Sequence, residues 1–350
     1  MRPLKTRKSL EDVLSLSNKG FSDGAEHASA CIYSLEGCAI TDAEISVFKD
    51  ADPFGFILFQ RNCETPDQLR SLVGSLKELV GRDCPVLIDQ EGGRVQRLKP
   101  PHWREYKPMQ FFGELYQESP DEALETLRFE TLRLAEELVE VGVNVNCAPV
   151  LDLLFDGADE IIGDRAFGSS VDIVSRLGVS VCRHFLSAGI TPIIKHIPGH
   201  GRAHVDSHLE LPVVDVAMAE LSATDFEPFR RLATSDVGDA VWAMTAHITY
   251  NAISEDDPAS LSSKAIDGVI RKDIGFDGVL ICDDLDMKAL DSYGSVSDKA
   301  NAALDSGCDL ALYCSGEIEK MEELAQNVPK VSREALKRLK KSSNFQNIAA

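Results

Sequence analysis

The chain has 350 residues, 57 acidic against 36 basic, for a formal net charge of −21. A surface this acidic repels phosphate backbones, which argues against general nucleic-acid binding, and no apolar run approaches the roughly 20 residues that span a bilayer. With 44% hydrophobic and 27% charged residues, the composition is that of a globular protein long enough for two domains or one α/β barrel.

In chain order, residues 1–27 are rich in Ser and charge and poor in large apolar side chains, and read as a loosely ordered extension. Its basic start has no apolar stretch or small-residue cleavage site, and Glu11 and Asp12 argue against an organelle transit peptide. Eight short apolar runs follow: ACIY (30–33), GFILF (55–59), PVLID (85–89), VNVNCAP (143–149), TPIIKH (191–196), AVWAMTAH (240–247), GVLICD (278–283) and DLALYC (309–314). They lack strict alternation, as strands buried on both faces should.

Amphipathic helical stretches lie between the strands. Residues 65–81 open with Thr65 as N-cap and Pro66 at the first helical position and close on Gly81; residues 119–142 repeat that opening and end on Gly142. Residues 171–189 and 287–307 likewise stop at glycine just before a strand. The alternation predicts a single (β/α)8 TIM-type barrel over 28–340, with 341–350 as a C-terminal tail. A doubly wound open sheet is the alternative, but no GxGxxG follows the first strand. The nine cysteines form no CxxC pair and mostly sit in apolar runs, which predicts buried thiols in a reducing, cytoplasmic compartment.

Barrel enzymes carry their chemistry where strands end. Here the ends bring Asp89, Asp152, Lys195 with His196, His247, and Asp283 with Asp284. The segment KHIPGHGRAHVDSH (195–208) holds half of the eight histidines. Its spacing of four invites a metal site on one helix face, but Pro198, Gly199 and Gly201 preclude a regular helix there. A loop carrying His208 polarised by Asp206 is the better reading, because such an imidazole both gives and takes a proton near neutral pH. Asp283 is a candidate nucleophile for displacement at an anomeric carbon; its bland alternative is a helix N-cap, a role open to Asp284 or Asp286 instead.

FGFILFQRN (54–62), VLIDQEGGRVQRL (86–98), VNVNCAPVLDL (143–153), IGDRAFG (162–168), KHIPGHGRAHVDSH (195–208), TAHITY (245–250) and ICDDLDM (281–287) together resemble glycoside hydrolase family 3, in particular its bacterial cytoplasmic β-N-acetylhexosaminidases of peptidoglycan recycling. The resemblance implies Asp283 as nucleophile and His208 as acid/base with Asp206 as its partner. It implies Asp89, Arg97, Arg165, Lys195 and His196 as sugar-binding residues, and a retaining mechanism without metal or organic cofactor. The implied substrate is N-acetylglucosaminyl-1,6-anhydro-N-acetylmuramic acid, with or without its peptide. No nucleic-acid or membrane partner is expected, and the chain is expected to be a monomer. Arg97, Arg165, Lys195 and Arg202 are expected to offset the acidic field at the site.

Ile197, Cys282 and Asp286 depart from the family's usual residues, and Asp286 is expected to face solvent or cap backbone amides. Three rival readings stand beside the glucosaminidase. They are a glycoside phosphorylase, since a histidine acid/base leaves room for phosphate; a metal-dependent hydrolase using His196, His200 and His204; and a non-catalytic sugar binder.

Overall fold

The computed structural model describes residues 20–207 and 209–343. Eight parallel strands close a barrel: β1 (Ser29–Tyr33), β2 (Pro53–Leu58), β3 (Val86–Ile88), β4 (Val145–Asn146), β5 (Thr191–Ile197), β6 (Trp242–Thr245), β7 (Leu280–Asp284) and β8 (Leu310–Leu312). Each pairs with its neighbours in sequence, and β8 closes on β1 with Cys31 opposite Ala311 and Ile32 opposite Leu312. These are the eight runs read from the sequence. Every residue of β2, β5 and β6 is buried, because helices cover one face and the barrel core the other.

The ten α-helices among the described residues are α1 (Asp42–Ala51), α2 (Pro66–Val80), α3 (Met109–Glu118), α4 (Pro120–Val141), α5 (Val171–Ser187), α6 (Met218–Ala223), α7 (Glu227–Ala233), α8 (Val296–Asp305), α9 (Ile318–Asn327) and α10 (Arg333–Ser343). α2 starts as expected: the Thr65 side chain accepts from the Gln68 amide, and Gly81 ends the helix at φ 67°. The expected helix over 287–307 is instead broken. A 3₁₀ segment, Lys288–Tyr293, ends at Gly294 with φ 94°, and Ser295 restarts the chain with a capping box to Asp298. A good cap inside an amphipathic run favours a new start over continuation.

β4 is shorter than its apolar run because Pro149 has no N–H to give the ladder. The Asn146 side chain bridges to the hairpin just past β3 there, accepting from the Gln90 amide at 3.0 Å and donating to the Gln90 carbonyl at 2.9 Å. Residues 20–27, read as part of the extension, reach the barrel through Phe21, whose ring meets Trp242 edge-on at 5.5 Å. α10 seals the same end, where Trp242 Nε1 donates to Ser342 Oγ at 3.4 Å. Residues 1–19 and 344–350 lie outside the described residues. Among the described residues no helix is long and apolar enough to cross a membrane.

Candidate active site

The C-terminal ends of the strands surround a cavity of about 210 Å³. β3 delivers Asp89, after which the chain makes a tight hairpin pairing Gln90–Gly92 with Val95–Gln96. The hairpin depends on Gly92 at φ 95°, where a Cβ would stand 2.4 Å from the Lys107 carbonyl. The Gln90 side chain accepts from the Arg97 and Leu98 amides, both at 2.9 Å, and so folds Arg97 back over Asp89.

The result is a chain of alternating charges. Arg97 Nη2 lies 2.9 Å from Asp89 Oδ2, and Lys195 Nζ lies 2.8 Å from Asp89 Oδ1 and 2.6 Å from Glu91 Oε1. Arg165 grips Glu91 with two bonds of 2.8 and 2.9 Å. Lys195, Glu91 and Arg165 are all buried. Burial alone would neutralise the carboxyls, but Lys195 with Arg97, and Arg165 with Lys195, outweigh it and hold Asp89 and Glu91 below the usual carboxylate range. The same carboxylates outweigh burial at Lys195 and raise its ammonium. All five groups are therefore charged at neutral pH.

Asp152 plays a second seating role. Its carboxylate accepts from His196 Nδ1 at 2.7 Å, from the His196 amide at 3.1 Å and from the His200 amide at 2.6 Å. It is fully buried, yet His196 and these donors keep it ionised against its burial. An ionised carboxylate only accepts, so the His196 proton sits on Nδ1.

Asp283 and Asp284 end β7 at the cavity wall. The Asp283 Oδ1 accepts from the Asp284 amide at 2.8 Å. Asp284 is pushed up to about 6, first by burial and then by the Asp283 and Asp286 charges. Its Oδ1 accepts from the Asp286 and Cys314 amides at 3.2 and 3.1 Å.

The structure thus gathers Asp89, Arg97, Arg165, Lys195, His196 and Asp283 around one cavity. Asp206 lies on the loop after β5, outside the cavity wall, and its carbonyl accepts from the Leu209 and Glu210 amides. His208 falls outside the described residues. The loop is tied toward the end of β7 by the Ala289 amide, which donates to the Ser207 carbonyl at 3.3 Å.

Two expectations change. Arg202 does not reach the cavity: it binds Asp225 and Glu220, each at 2.8 Å, and its guanidinium stacks 3.9 Å from the Phe155 ring centroid. Asp286 faces neither solvent nor a helix start; it pairs with Lys320 at 3.1 Å and accepts from Ser315 Oγ. The spaced histidines turn to separate partners: His196 to Asp152, His200 to Ser207 Oγ at 3.0 Å, and the exposed His204 to the Gly157 carbonyl at 3.0 Å. Among the described residues no group of three His, Cys, Asp or Glu side chains is placed to hold a metal ion.

Sequence reasoning missed Glu91 and the seating role of Asp152. Glu91 stands two residues after Asp89 inside the motif DQEGGR, which was the available signal.

Comparison with known proteins agrees with this geometry. Residues 29–344 match the Glycosyl hydrolase family 3 N terminal domain. A Beta-hexosaminidase of Nitrosomonas eutropha is 37% identical over 261 residues, 75% of this chain and 73% of that protein. One from Actinobacillus succinogenes is 33% identical over 324 residues, covering 91% and 92%. Among solved structures, NagZ from Neisseria gonorrhoeae in complex with N-trifluoroacetyl-D-glucosamine superposes with a TM-score of 0.82 at 28% identity, covering 92% of this chain and 93% of that one. A family 3 β-N-acetylglucosaminidase from Paenibacillus has a TM-score of 0.79 at 29% identity, covering 91% of this chain and 61% of that one. With a family match over nearly the whole barrel and a charged cavity at the strand ends, this chain belongs to glycoside hydrolase family 3.

Proposed function

We propose that this β-N-acetylhexosaminidase is a retaining exo-β-N-acetylglucosaminidase that releases terminal N-acetylglucosamine from N-acetylglucosaminyl-1,6-anhydro-N-acetylmuramic acid and its peptides. The observation that carries the reading is Asp283 lining one cavity with Arg97, Arg165 and Lys195, cations whose counter-ions, Asp89 and Glu91, are already in place. The similarity to β-N-acetylglucosaminidases supports the choice of sugar.

In this mechanism an Asp283 oxygen attacks the anomeric carbon while His208 gives its proton to the departing glycosidic oxygen, leaving a glycosyl ester on Asp283. His208 then takes a proton from water as the water oxygen displaces Asp283 at the same carbon. Two displacements leave the configuration retained. Asp206 stabilises the imidazolium that gives the first proton and re-forms in the second step. Each Asp89 oxygen uses one lone pair on Lys195 or Arg97 and keeps another for a sugar hydroxyl, while Arg97, Arg165 and Lys195 donate to sugar oxygens. With its Nδ1 on Asp152, His196 keeps Nε2 for the ligand. No metal or cofactor takes part. The nine free thiols support a reducing, cytoplasmic location, and we read the chain as a monomer.

The test is turnover of an aryl N-acetyl-β-D-glucosaminide beside the aryl β-glucoside, with and without phosphate. The acetamido sugar alone should be hydrolysed without phosphate, and Asp283→Ala should lower kcat by about a thousandfold or more. Sugar 1-phosphate formed only with added phosphate would replace hydrolysis by phosphorolysis. An inert wild-type protein would leave a sugar binder.

A further inference from the structure

β6 runs out into Ala246 and His247, whose imidazole is fully buried and takes no part in the chemistry above. Its Nε2 lies 3.0 Å from the main-chain carbonyl of Asp284, and its Nδ1 lies 2.7 Å from Ser260 Oγ. A carbonyl oxygen only accepts, so Nε2 carries the proton. Nδ1 is then an acceptor, and the Ser260 hydroxyl donates to it. Burial favours this neutral ring and lowers the imidazole below its ordinary range, against the pull of the Asp283 charge.

Asp284 is held from the opposite side as well, since its carboxylate accepts from the Cys314 amide just beyond β8. The tip of β7 is therefore gripped through its carbonyl from β6 and through a side chain from β8. The gripped residue also sends its own amide to Asp283 Oδ1 at 2.8 Å.

We propose that His247 is a positioning residue, a neutral imidazole strut from β6 to β7 that fixes the direction in which Asp283 presents its carboxylate. This rests on Asp283 being the nucleophile. A nucleophile must approach the anomeric carbon within a few tenths of an ångström of its productive line, so loss of the strut acts on the chemical step. The sugar-binding residues come from β3, β5 and the loop after β4, so binding of the sugar does not depend on it.

Three variants separate these effects. In His247→Gln the longer amide places an N–H where Nε2 stood and keeps the bond to the Asp284 carbonyl. In His247→Asn the shorter amide reaches only Ser260. His247→Leu makes neither bond. For each, kcat, KM, the inhibition constant of N-acetylglucosamine and the thermal midpoint are measured.

The Asn and Leu variants should lose about 10- to 100-fold in kcat. Product inhibition should stay within about threefold, and Gln should recover most of the rate. The strut is overturned if Asn and Gln behave alike, if Leu keeps full kcat, or if product binding falls in step with kcat. Should Leu fail to fold, the Asn and Gln pair still decides. Azide added to Asp283→Ala keeps the two readings apart. Rescue by azide together with a fully active His247→Asn overturns the strut alone, whereas an Asp283→Ala enzyme of full activity overturns the nucleophile, and the strut's target with it.

Discussion

Glu91 moves no proton in the proposed reaction, yet it pairs with Arg165 and Lys195, two of the cations proposed to meet the sugar. It is 2% exposed, and removing one member of such a buried pair leaves the others uncompensated, at a typical cost of about 3–5 kcal/mol. Glu91→Gln keeps the shape and loses the charge. It should raise KM for the aryl glucosaminide by about tenfold or more and lower the urea midpoint, with kcat less affected, because Glu91 moves no proton in the proposed reaction. A variant with wild-type KM would show that Arg165 and Lys195 hold their places without it. This pairing was not legible in the sequence: Arg165 and Glu91 are separated by 74 positions and meet only because strand ends converge. The carboxylates and cations at the strand ends were legible, and their division into groups that touch sugar and groups that seat others was not.

His200 makes a second prediction at this scale. Burial first, and then the His196 charge, lowers its imidazole to about 4. An unfolded histidine titrates near 6.5, so between those values the unfolded chain binds a proton that the folded chain refuses. Stability is then lost as pH falls through this window, by at most about 1.4 kcal/mol per pH unit. Asp284, pushed up to about 6, works in the opposite direction, because there the folded state takes the proton first. The comparison must therefore be wild type against His200→Gln. Between pH 6.5 and 4.5 the variant should lose about 2–3 kcal/mol less than wild type in denaturant titrations. Parallel pH profiles would mean that His200 titrates as it does in the unfolded chain.

At the scale of elements, the base of the loop after β5 is closely packed. Gly201 lies so close to the segment after β4 that a Cβ would stand 1.8 Å from the Leu153 carbonyl. Arg202 locks onto Asp225, the Gly199 carbonyl accepts from the Tyr250 hydroxyl, and the Ala203 carbonyl accepts from the Asp159 amide at 2.8 Å. Gly201→Ala must lift this base, and with it Asp206. Overpacking of this kind costs about 1–3 kcal/mol. The kinetic effect should be larger: kcat lower by about tenfold or more, with inhibition by N-acetylglucosamine less affected, since Asp89 and Arg97 stand on other elements. Equal losses in kcat and in product binding would place the loop base inside the sugar site instead.

The strands around this loop were readable because burial on both faces leaves an unbroken apolar run, and the helices because capping residues and closing glycines mark their ends. The break at Gly294 was not readable. The 287–307 run keeps a helical apolar pattern across it, and only the competing cap at Ser295 reveals a second start.

For the whole molecule, the decisive quantity is how the charge of −21 is distributed around the cavity. The cavity wall carries Arg94, Arg97, Arg165 and Lys195 against Asp89, Glu91, Asp283 and Asp284, four of each sign. The expected local excess of positive charge is absent from this wall. Arg202 is spent on Asp225 and Glu220, and Arg94 on Asp164 at 2.8 Å. The proposed muropeptide ligand carries several carboxylates and would therefore approach a strongly acidic molecule through a cavity wall of no formal charge. Its association should be slowed by the long-range field, which salt removes as the screening length falls to about 8 Å near 0.15 M. Raising ionic strength from about 0.01 to 0.15 M should then increase kcat/KM for the anionic muropeptide several-fold. The neutral aryl glucosaminide, which feels no such field, should hardly respond. Salt that slows the muropeptide would mean instead that the paired cations release enough charge on meeting the ligand to draw it in.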